Sequence, residues 1–161
     1  MYKRYLVMFL TAAAVFLAGC SKGQVMDGPD MVRSTEYIQL NPVLVIKTEE
    51  KTFYADLEDN SSAEALIEKL GSEELIIDLH DYGSFEKVGP LPWDLPRNDE
   101  TITTQPGDVI LYQGNQITIY YDENTWDFTR LAKISNITKD ELLEAFGEGS
   151  VSVTFSIEWR E

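Results

Sequence analysis

Alternating apolar and polar positions recur along the chain after about residue 40 and predict a protein built mainly from β-strands. Between Glu74 and His80, the side chains of Leu75, Ile77 and Leu79 fall on one face and polar side chains on most of the other. This period of two is typical of a strand with one buried face. Val151 to Trp159 alternates in the same way, so we expect a strand near the end of the sequence.

Other predicted strands are rich in β-branched and aromatic residues and are bounded by turn residues. They are Val43 to Lys47, Thr52 to Asp56, Val109 to Tyr112, Gln116 to Tyr121 and Trp126 to Ile134. Pro42 marks an edge or an irregular lead-in to the first, and Thr52 to Asp56 is its expected hairpin partner. Gly114-Asn115 is a strong hairpin signal between two of the others.

Two short helices are predicted between strands. Asn60, Ser61 and Ser62 supply cap residues for a helix from about Ser62 to Leu70, which Gly71 ends. Thr138 and Glu141 have the spacing of a capping box at the start of a second helix.

The intervening segment, Gly83 to Thr104, contains three prolines together with apolar side chains and is predicted to be a packed loop. About eight strands and two helices, without the regular alternation of a doubly wound sheet, favour a mainly β fold. The expected architecture is a closed antiparallel barrel over residues 36–161, since closure leaves no exposed sheet edge.

The first residues have the features of an export signal. Lys3 and Arg4 precede an apolar run, Tyr5 to Phe16, which is as long as a signal h-region and short for a membrane span. Residues 17–20, Leu-Ala-Gly-Cys, resemble the lipobox of bacterial lipoproteins, and Cys20 is the one cysteine of the chain. This resemblance implies a signal peptide over residues 1–19 and a diacylglyceryl group on Cys20. The alternative is an ordinary signal peptide followed by an incidental cysteine.

Residues 20–35 lack periodicity and are interpreted as a lipidated cysteine followed by a flexible tether. Two acyl chains suffice for stable anchoring, so the membrane is an expected partner. We expect the domain to be monomeric and to face outside the cytoplasm of a bacterium. By resemblance to Gram-negative lipoproteins, Ser21 does not favour retention in the inner membrane, so the outer membrane is the alternative address in such a host.

The formal charge of the chain is −15, and removing Lys3 and Arg4 with the signal leaves 11 basic and 28 acidic side chains, or −17. Nucleic acid is therefore not an expected partner, because phosphate binding needs basic patches. Surface charge that keeps the domain soluble is the simpler interpretation of this acidity.

Several short motifs, taken in order, resemble the bacterial cyclophilin-like domain family across about Val43 to Ile157. They are Thr52 to Asp59 followed by the first helix, Asp81-Tyr82-Gly83, Glu86-Lys87, Leu91-Pro92, Leu95-Pro96, Pro106 to Val109, and Trp126 to Ile134. The family implies an eight-stranded barrel capped by two helices, in agreement with the pattern. It does not imply isomerase activity.

Catalytic cyclophilins use an arginine beside an apolar proline pocket with aromatic walls. Residues 36–161 contain neither their Arg-Phe-Pro segment nor their Gly-Gln pair, so no catalytic residue is carried over. Arg130, near Trp126 and Phe128, is the best candidate for a ligand-binding arginine; the alternative is a surface charge beside core neighbours. An isomerase would require Arg130 to point into a concave apolar pocket.

The sequence gives only weak evidence for other kinds of functional site. His80 is the only histidine, which excludes a two-histidine metal site, and neither a metal nor a cofactor is expected. His80 with Asp78 and Asp81 is a candidate small polar site, although a surface histidine is the simpler interpretation. Tyr112 is among the aromatic residues that can line an opening of a barrel.

Two hypotheses of function follow. The first is a non-catalytic, lipid-anchored binding module for a peptide, a small molecule or an envelope protein. The second is a peptidyl-prolyl isomerase that acts on exported proteins. A purely structural anchor is a third interpretation, which predicts an exposed apolar patch without a deep pocket.

Overall fold

The computed structural model describes residues 39–161, so the predicted signal peptide, Cys20 and the tether lie outside the described part of the chain. The described part contains nine strands and two helices. In chain order they are β1 (Asn41–Lys47), β2 (Thr52–Leu57), α1 (Ser61–Leu70), β3 (Leu75–Tyr82), β4 (Glu86–Pro90), β5 (Glu100–Thr103), β6 (Asp108–Tyr112), β7 (Gln116–Tyr120), β8 (Thr125–Ile134), α2 (Lys139–Phe146) and β9 (Ser150–Arg160).

Eight of the strands form a closed antiparallel barrel. They follow one another in the order β2-β1-β9-β3-β4-β7-β6-β8, and a further pairing of β8 with β2 closes the ring. The closing seam is short and joins Ala55 to Ile134 and Leu57 to Ala132. This architecture, with two helices, confirms the predicted mainly β, cyclophilin-like barrel.

The interior of the barrel is filled by every second side chain of its strands, as the alternation in the sequence predicts. On β3, Ile77 and Leu79 are buried while Ile76 and Asp78 are exposed. Other large buried side chains of this core on the strands include Leu44, Ile46, Phe53, Val109, Leu111, Ile117, Ile119, Leu131, Ile134, Val153 and Phe155.

Each helix connects two barrel strands and packs a hydrophobic face on the core. α1 begins at Asn60, whose side-chain oxygen accepts hydrogen bonds from the amides of Ser62 and Ala63 at 3.0 and 2.9 Å. α2 begins with the predicted capping box, in which Thr138 and Glu141 satisfy each other's backbone amides. Leu66 of α1 and Phe146 of α2 belong to the buried core.

The registers place the two helices at opposite ends of the barrel. α1 follows the end of β2 and precedes the start of β3, at the end where β1 begins and β9 finishes, with Asn41 opposite Arg160. We call this the α1 end. The turn between β6 and β7 lies at the same end, and the start of β4 and the end of β7 lie at the other.

The predicted packed loop, Gly83 to Thr104, is more regular than the sequence suggested. It contains β4, which pairs with β3 and β7 inside the barrel, and β5, which pairs with β8. Pro90 is tolerated because it is the last residue of its strand. The segment between these strands, residues 91–99, crosses the α1 end and buries Leu91 and Leu95 in the core; we call it the strap.

β5 and the first residues of β8 form a two-stranded ribbon outside the barrel. Glu100 lies opposite Phe128 and Thr103 opposite Thr125, whereas β8 joins the barrel from Thr129 onward. Ile102 and Phe128 of the ribbon pack against Ile110 and Tyr120, two buried side chains on the outer face of the barrel. The domain therefore has a small second core between the ribbon and the barrel.

Within residues 39–161, neither helix has the length and apolar character needed to cross a membrane.

Candidate functional site

An open groove of about 610 Å³ lies between the ribbon and the turn that joins β6 to β7. Its lining combines aromatic, charged and amide side chains from the strap, the ribbon and that turn. They are Arg97, Asp99, Thr101, Tyr112, Gln113, Trp126 and Asp127.

Two of the predicted ligand-binding residues, Trp126 and Tyr112, line this groove. Trp126 is 61% exposed, which is unusual for so large an apolar ring. Tyr112 is half-buried, and its ring meets Phe128 edge-on with 6.2 Å between centroids. Phe128, a third predicted residue, is buried and supports the groove from below without lining it. The three aromatic residues named from the sequence therefore lie in this groove or directly beneath it.

The strap carries the charged side of the groove and is held by hydrogen bonds to the barrel. The hydroxyl of Thr129 donates to Asp99 at 2.6 Å and accepts from the amide of Asn98 at 2.8 Å. The amides of Leu91 and Leu95 donate to carbonyls of the β6–β7 turn at 2.8 Å each. These bonds fix the backbone on both sides of Arg97.

Side-chain bonds also tie the strap to the start of α1. The side-chain amide of Asn98 donates to the hydroxyls of Ser61 and Ser62 at 2.8 and 2.7 Å, and the Ser62 hydroxyl donates to the carbonyl of Pro96 at 2.5 Å. Because α1 packs on the core, the strap residues that line the groove are bonded to a rigid part of the fold.

Asp99 is held in its charged form. Partial burial raises the pKa of this carboxyl, but the hydrogen bond from Thr129 and the guanidinium of Arg97 outweigh burial, and the net pKa is lowered. The groove therefore presents an ion pair, Arg97 with Asp99, next to an exposed indole. Such a surface offers hydrogen-bond donors, acceptors and an apolar face to one ligand.

Arg130 lies outside the lining of the groove. Its Nε is 3.6 Å from a carboxylate oxygen of Asp108 and 4.0 Å from one of Glu58. The contacts described for its guanidinium are thus with carboxylates, and the arginine beside the groove's aromatic rings is Arg97. An isomerase was expected to need Arg130 in a concave apolar pocket, whereas the groups described near its guanidinium are the carboxylates of Asp108 and Glu58.

His80 lies on the outer face of β3, opposite Val88 and Ser150, and is exposed. Asp81, the next residue, points to the opposite face of the strand, whereas Asp78 is exposed on the same face as His80. In residues 39–161 no three His, Asp or Glu side chains are grouped so that they could hold a metal ion.

Asp81 belongs instead to a polar cluster at the end of the barrel opposite α1. Its carboxylate accepts from the ammonium of Lys87 at 2.8 Å, from the hydroxyl of Tyr121 at 3.3 Å and from the amide of Gly149 at 2.7 Å. Lys87 is fully buried and also donates to the carbonyl of Gly149 at 2.8 Å. Burial raises the pKa of Asp81, but the hydrogen bonds from Lys87, Gly149 and Tyr121 and the charge of Lys87 together outweigh burial, and the net pKa is lowered.

Sequence reasoning missed Arg97, Asp99 and Gln113 as residues of the groove. They come from the strap and from a turn, which carry no periodic pattern. The one available signal was the combination of prolines with apolar residues around Arg97, which indicated an ordered loop but did not indicate what the loop lies against.

The closed barrel with a helix at each end and a groove beside its ribbon defines a cyclophilin-like β-barrel protein. Residues 46–158 match the Cyclophilin-like family, and this match covers well over half of the chain. The chain therefore belongs to the Cyclophilin-like family. Comparisons with curated proteins and with solved structures found no significant match.

Proposed function

We propose that this protein is a lipid-anchored, extracytoplasmic binding module whose groove takes a peptide segment. The observation that carries the proposal is the exposed Trp126 beside Tyr112 and the Arg97–Asp99 pair in one groove. An exposed indole next to hydrogen-bonding groups is typical of binding sites, since aromatic side chains bury much area at little cost in conformational entropy.

A peptide matches the polar and aromatic side chains of this groove better than a purely apolar ligand does. A peptide backbone offers donors and acceptors that Gln113, Asp127 and the Arg97–Asp99 pair can satisfy, while Trp126 covers an apolar side chain. The groove is open, so a ligand would lie along it and stay partly hydrated. Small molecules and the surface of an envelope protein are the other occupants that the same chemistry allows.

The address is part of the proposal and rests on the sequence. The apolar run from Tyr5 to Phe16 ends in the lipobox-like residues 17–20, and the domain begins about twenty residues later. A Cys20→Ala variant should be released from the membrane fraction after export, with the unaltered chain as control. Full retention of the variant on membranes would contradict lipid anchoring at this residue.

The binding role is tested with the proline peptide N-acetyl-Ala-Ala-Pro-Phe-amide, titrated into the full-length chain in a non-ionic detergent. NMR follows both the amide shifts of the protein and the cis/trans exchange of the peptide. We expect saturable shifts near Gln113 and Trp126 without acceleration of the exchange. Trp126→Ala should weaken binding about tenfold or more, whereas Trp159→Ala, at the end of β9, serves as the matched control.

The same experiment separates the second candidate function, peptidyl-prolyl isomerisation, from simple binding. Accelerated exchange that Arg97→Met or Arg130→Ala abolishes would establish an isomerase and name its arginine. Absence of saturable shifts at millimolar peptide, or equal binding by Trp126→Ala and the unaltered chain, would contradict a peptide groove at Trp126.

A further inference from the structure

Glu86 is a buried carboxyl group on the outer face of the barrel. It opens β4, faces Tyr120 across the strand pair and is 6% exposed. The hydroxyl of Tyr120 is hydrogen-bonded to the Glu86 carboxylate. The second carboxylate oxygen, Oε2, has no hydrogen-bond partner among the described residues. A buried carboxylate with a free oxygen is costly unless something pairs with it.

No basic side chain of residues 39–161 lies within ion-pair distance of this carboxylate. Lys87 follows it in the sequence, but its ammonium points to the inside of the barrel and pairs with Asp81. On the same outer face, the hydroxyl of Thr118 is also buried and has no partner within the described range. Two unsatisfied polar groups, one of them acidic, therefore share one face.

Aromatic rings lie next to Glu86, since Phe85 precedes it in the sequence and Tyr120 faces it across the strand pair. Phe85 and Tyr120 are stacked, with 5.9 Å between centroids and an interplanar angle of 7°. Tyr82 meets Phe85 edge-on at 6.1 Å, and Phe128 lies 5.6 Å from Tyr120. Phe85 is half-buried and Tyr82 is 61% exposed, so the row of rings runs from the interior to solvent.

The carboxylate of Glu86 and the neighbouring aromatic rings together favour the binding of a cation. Ring faces attract ammonium groups, and the attraction grows when water is excluded. A carboxylate beneath the rings supplies the opposite charge, and a hydroxyl such as that of Thr118 can accept a hydrogen bond from an ammonium hydrogen. A neutral ligand could donate a hydrogen bond to Oε2 but would leave the negative charge of the carboxylate unpaired, and an anionic ligand would add to that charge.

We propose that Glu86, Thr118 and the rings of Phe85 and Tyr120 form a binding site for a primary ammonium group, such as that of a lysine side chain or an alkylamine. The site is distinct from the groove at Trp126 and does not rest on the function proposed for it. Because Oε2 is closed to solvent, the half-buried ring of Phe85 must turn aside to admit the ligand. The ammonium then donates to Oε2 and lies against the ring faces, and its alkyl chain extends past Tyr82 to solvent.

The probe is n-butylammonium, with 1-butanol as its neutral counterpart, titrated into the full-length chain in a non-ionic detergent. NMR reports on the amide of Tyr121, which donates to the carbonyl of Phe85 at 2.9 Å, and on the amide of Glu86 itself. We expect saturable shifts with butylammonium and no saturation with butanol.

Two variants of equal charge test whether Glu86 is responsible for the binding of butylammonium. Glu86→Gln keeps an acceptor for the Tyr120 hydroxyl and should weaken butylammonium binding about tenfold or more. Glu100→Gln removes the same charge from an exposed position on the ribbon and should leave binding unchanged. Should Glu86→Gln not fold, Glu86→Asp, which withdraws the charge by one methylene, should also weaken binding.

Three results would overturn the proposal. They are the absence of saturable shifts in the unaltered chain, equal affinity of the Glu86 variants and the Glu100 control, or equal responses to butylammonium and butanol. The last would indicate an apolar cleft without charge recognition.

Discussion

Replacing Asp81 by Asn tests the polar cluster at the end of the barrel opposite α1. Lys87 is fully buried, and its ammonium has two acceptors there, Asp81 and the carbonyl of Gly149. The substitution would keep the shape of the side chain but remove the charge that offsets the buried ammonium. It would also place an amide where the carboxylate accepts from the backbone of Gly149.

The magnitude follows from the burial of the two partners. Breaking a fully buried ion pair costs about 3–5 kcal/mol. Asp81 is 35% exposed, so solvent screens part of the lost attraction and we expect about 2 kcal/mol. Because the pKa of Asp81 is lowered in the fold, its stabilising effect is present above the unfolded-state pKa and is lost as the pH falls through the folded-state value.

Urea denaturation followed by tryptophan fluorescence measures this difference in the free energy of unfolding. The difference in the free energy of unfolding between the unaltered chain and Asp81→Asn should have its full size at neutral pH. It should decrease below about pH 3.8, the ordinary pKa of the carboxyl. Asp78→Asn, an exposed neighbour on the same strand, is the control and should change little. A loss below about 0.5 kcal/mol at neutral pH would refute the reasoning, because surface substitutions cause changes of that size.

The remaining predictions concern stability. Thr138→Ala should cost about 1 kcal/mol in urea denaturation, since it removes the cap shared with Glu141; an unchanged midpoint would contradict this. Gly89→Ala should cost about 2 kcal/mol or prevent folding, because a Cβ there would lie 2.7 Å from side-chain carbons of Ile77 and Leu79. Burial raises the pKa of Glu86, so its charge destabilises the fold as pH rises above the ordinary value of 4.5. Glu86→Gln should therefore unfold at higher temperature than the unaltered chain at pH 8 and not at pH 4.

The sequence was most informative where one residue determines local geometry. The capping box at Thr138, the N-cap near Asn60 and the hairpin around Gly114 were all predicted and are all present. The backbone of Gln113 and Gly114 has positive φ values of 52° and 87°, the conformation that tight hairpins need and that glycine adopts freely. Strand alternation also predicted which side chains fill the barrel.

The sequence was less informative where distant segments meet. β4 was assigned to a loop because the segment Gly83 to Thr104 contains three prolines and two glycines near it, although four of its five residues are buried by contacts with β3 and β7. The groove shows the same limit. Trp126 and Tyr112 were named as candidates, whereas Arg97 could not be placed beside them, because its position depends on bonds from Thr129 and α1 to the strap.

Charged residues were the hardest to assign. Lys87 and Glu86 are adjacent, and in the sequence they look like a solvated pair. The pleat of β4 sends one into the barrel and the other to the outer face, where each meets a different set of partners. No local pattern distinguishes such residues from surface charges.

The position of β9 determines when this molecule can fold during its synthesis. β9, the last strand of residues 39–161 in chain order, lies between β1 and β3 and pairs with both, along seven residues of one and six of the other. Until it emerges, the nascent chain holds two unpaired sheet edges and an open core, a state prone to aggregation. The barrel therefore cannot close before β9 has been synthesised, and a chain cut before Ser150 would hold an open sheet in place of a smaller barrel.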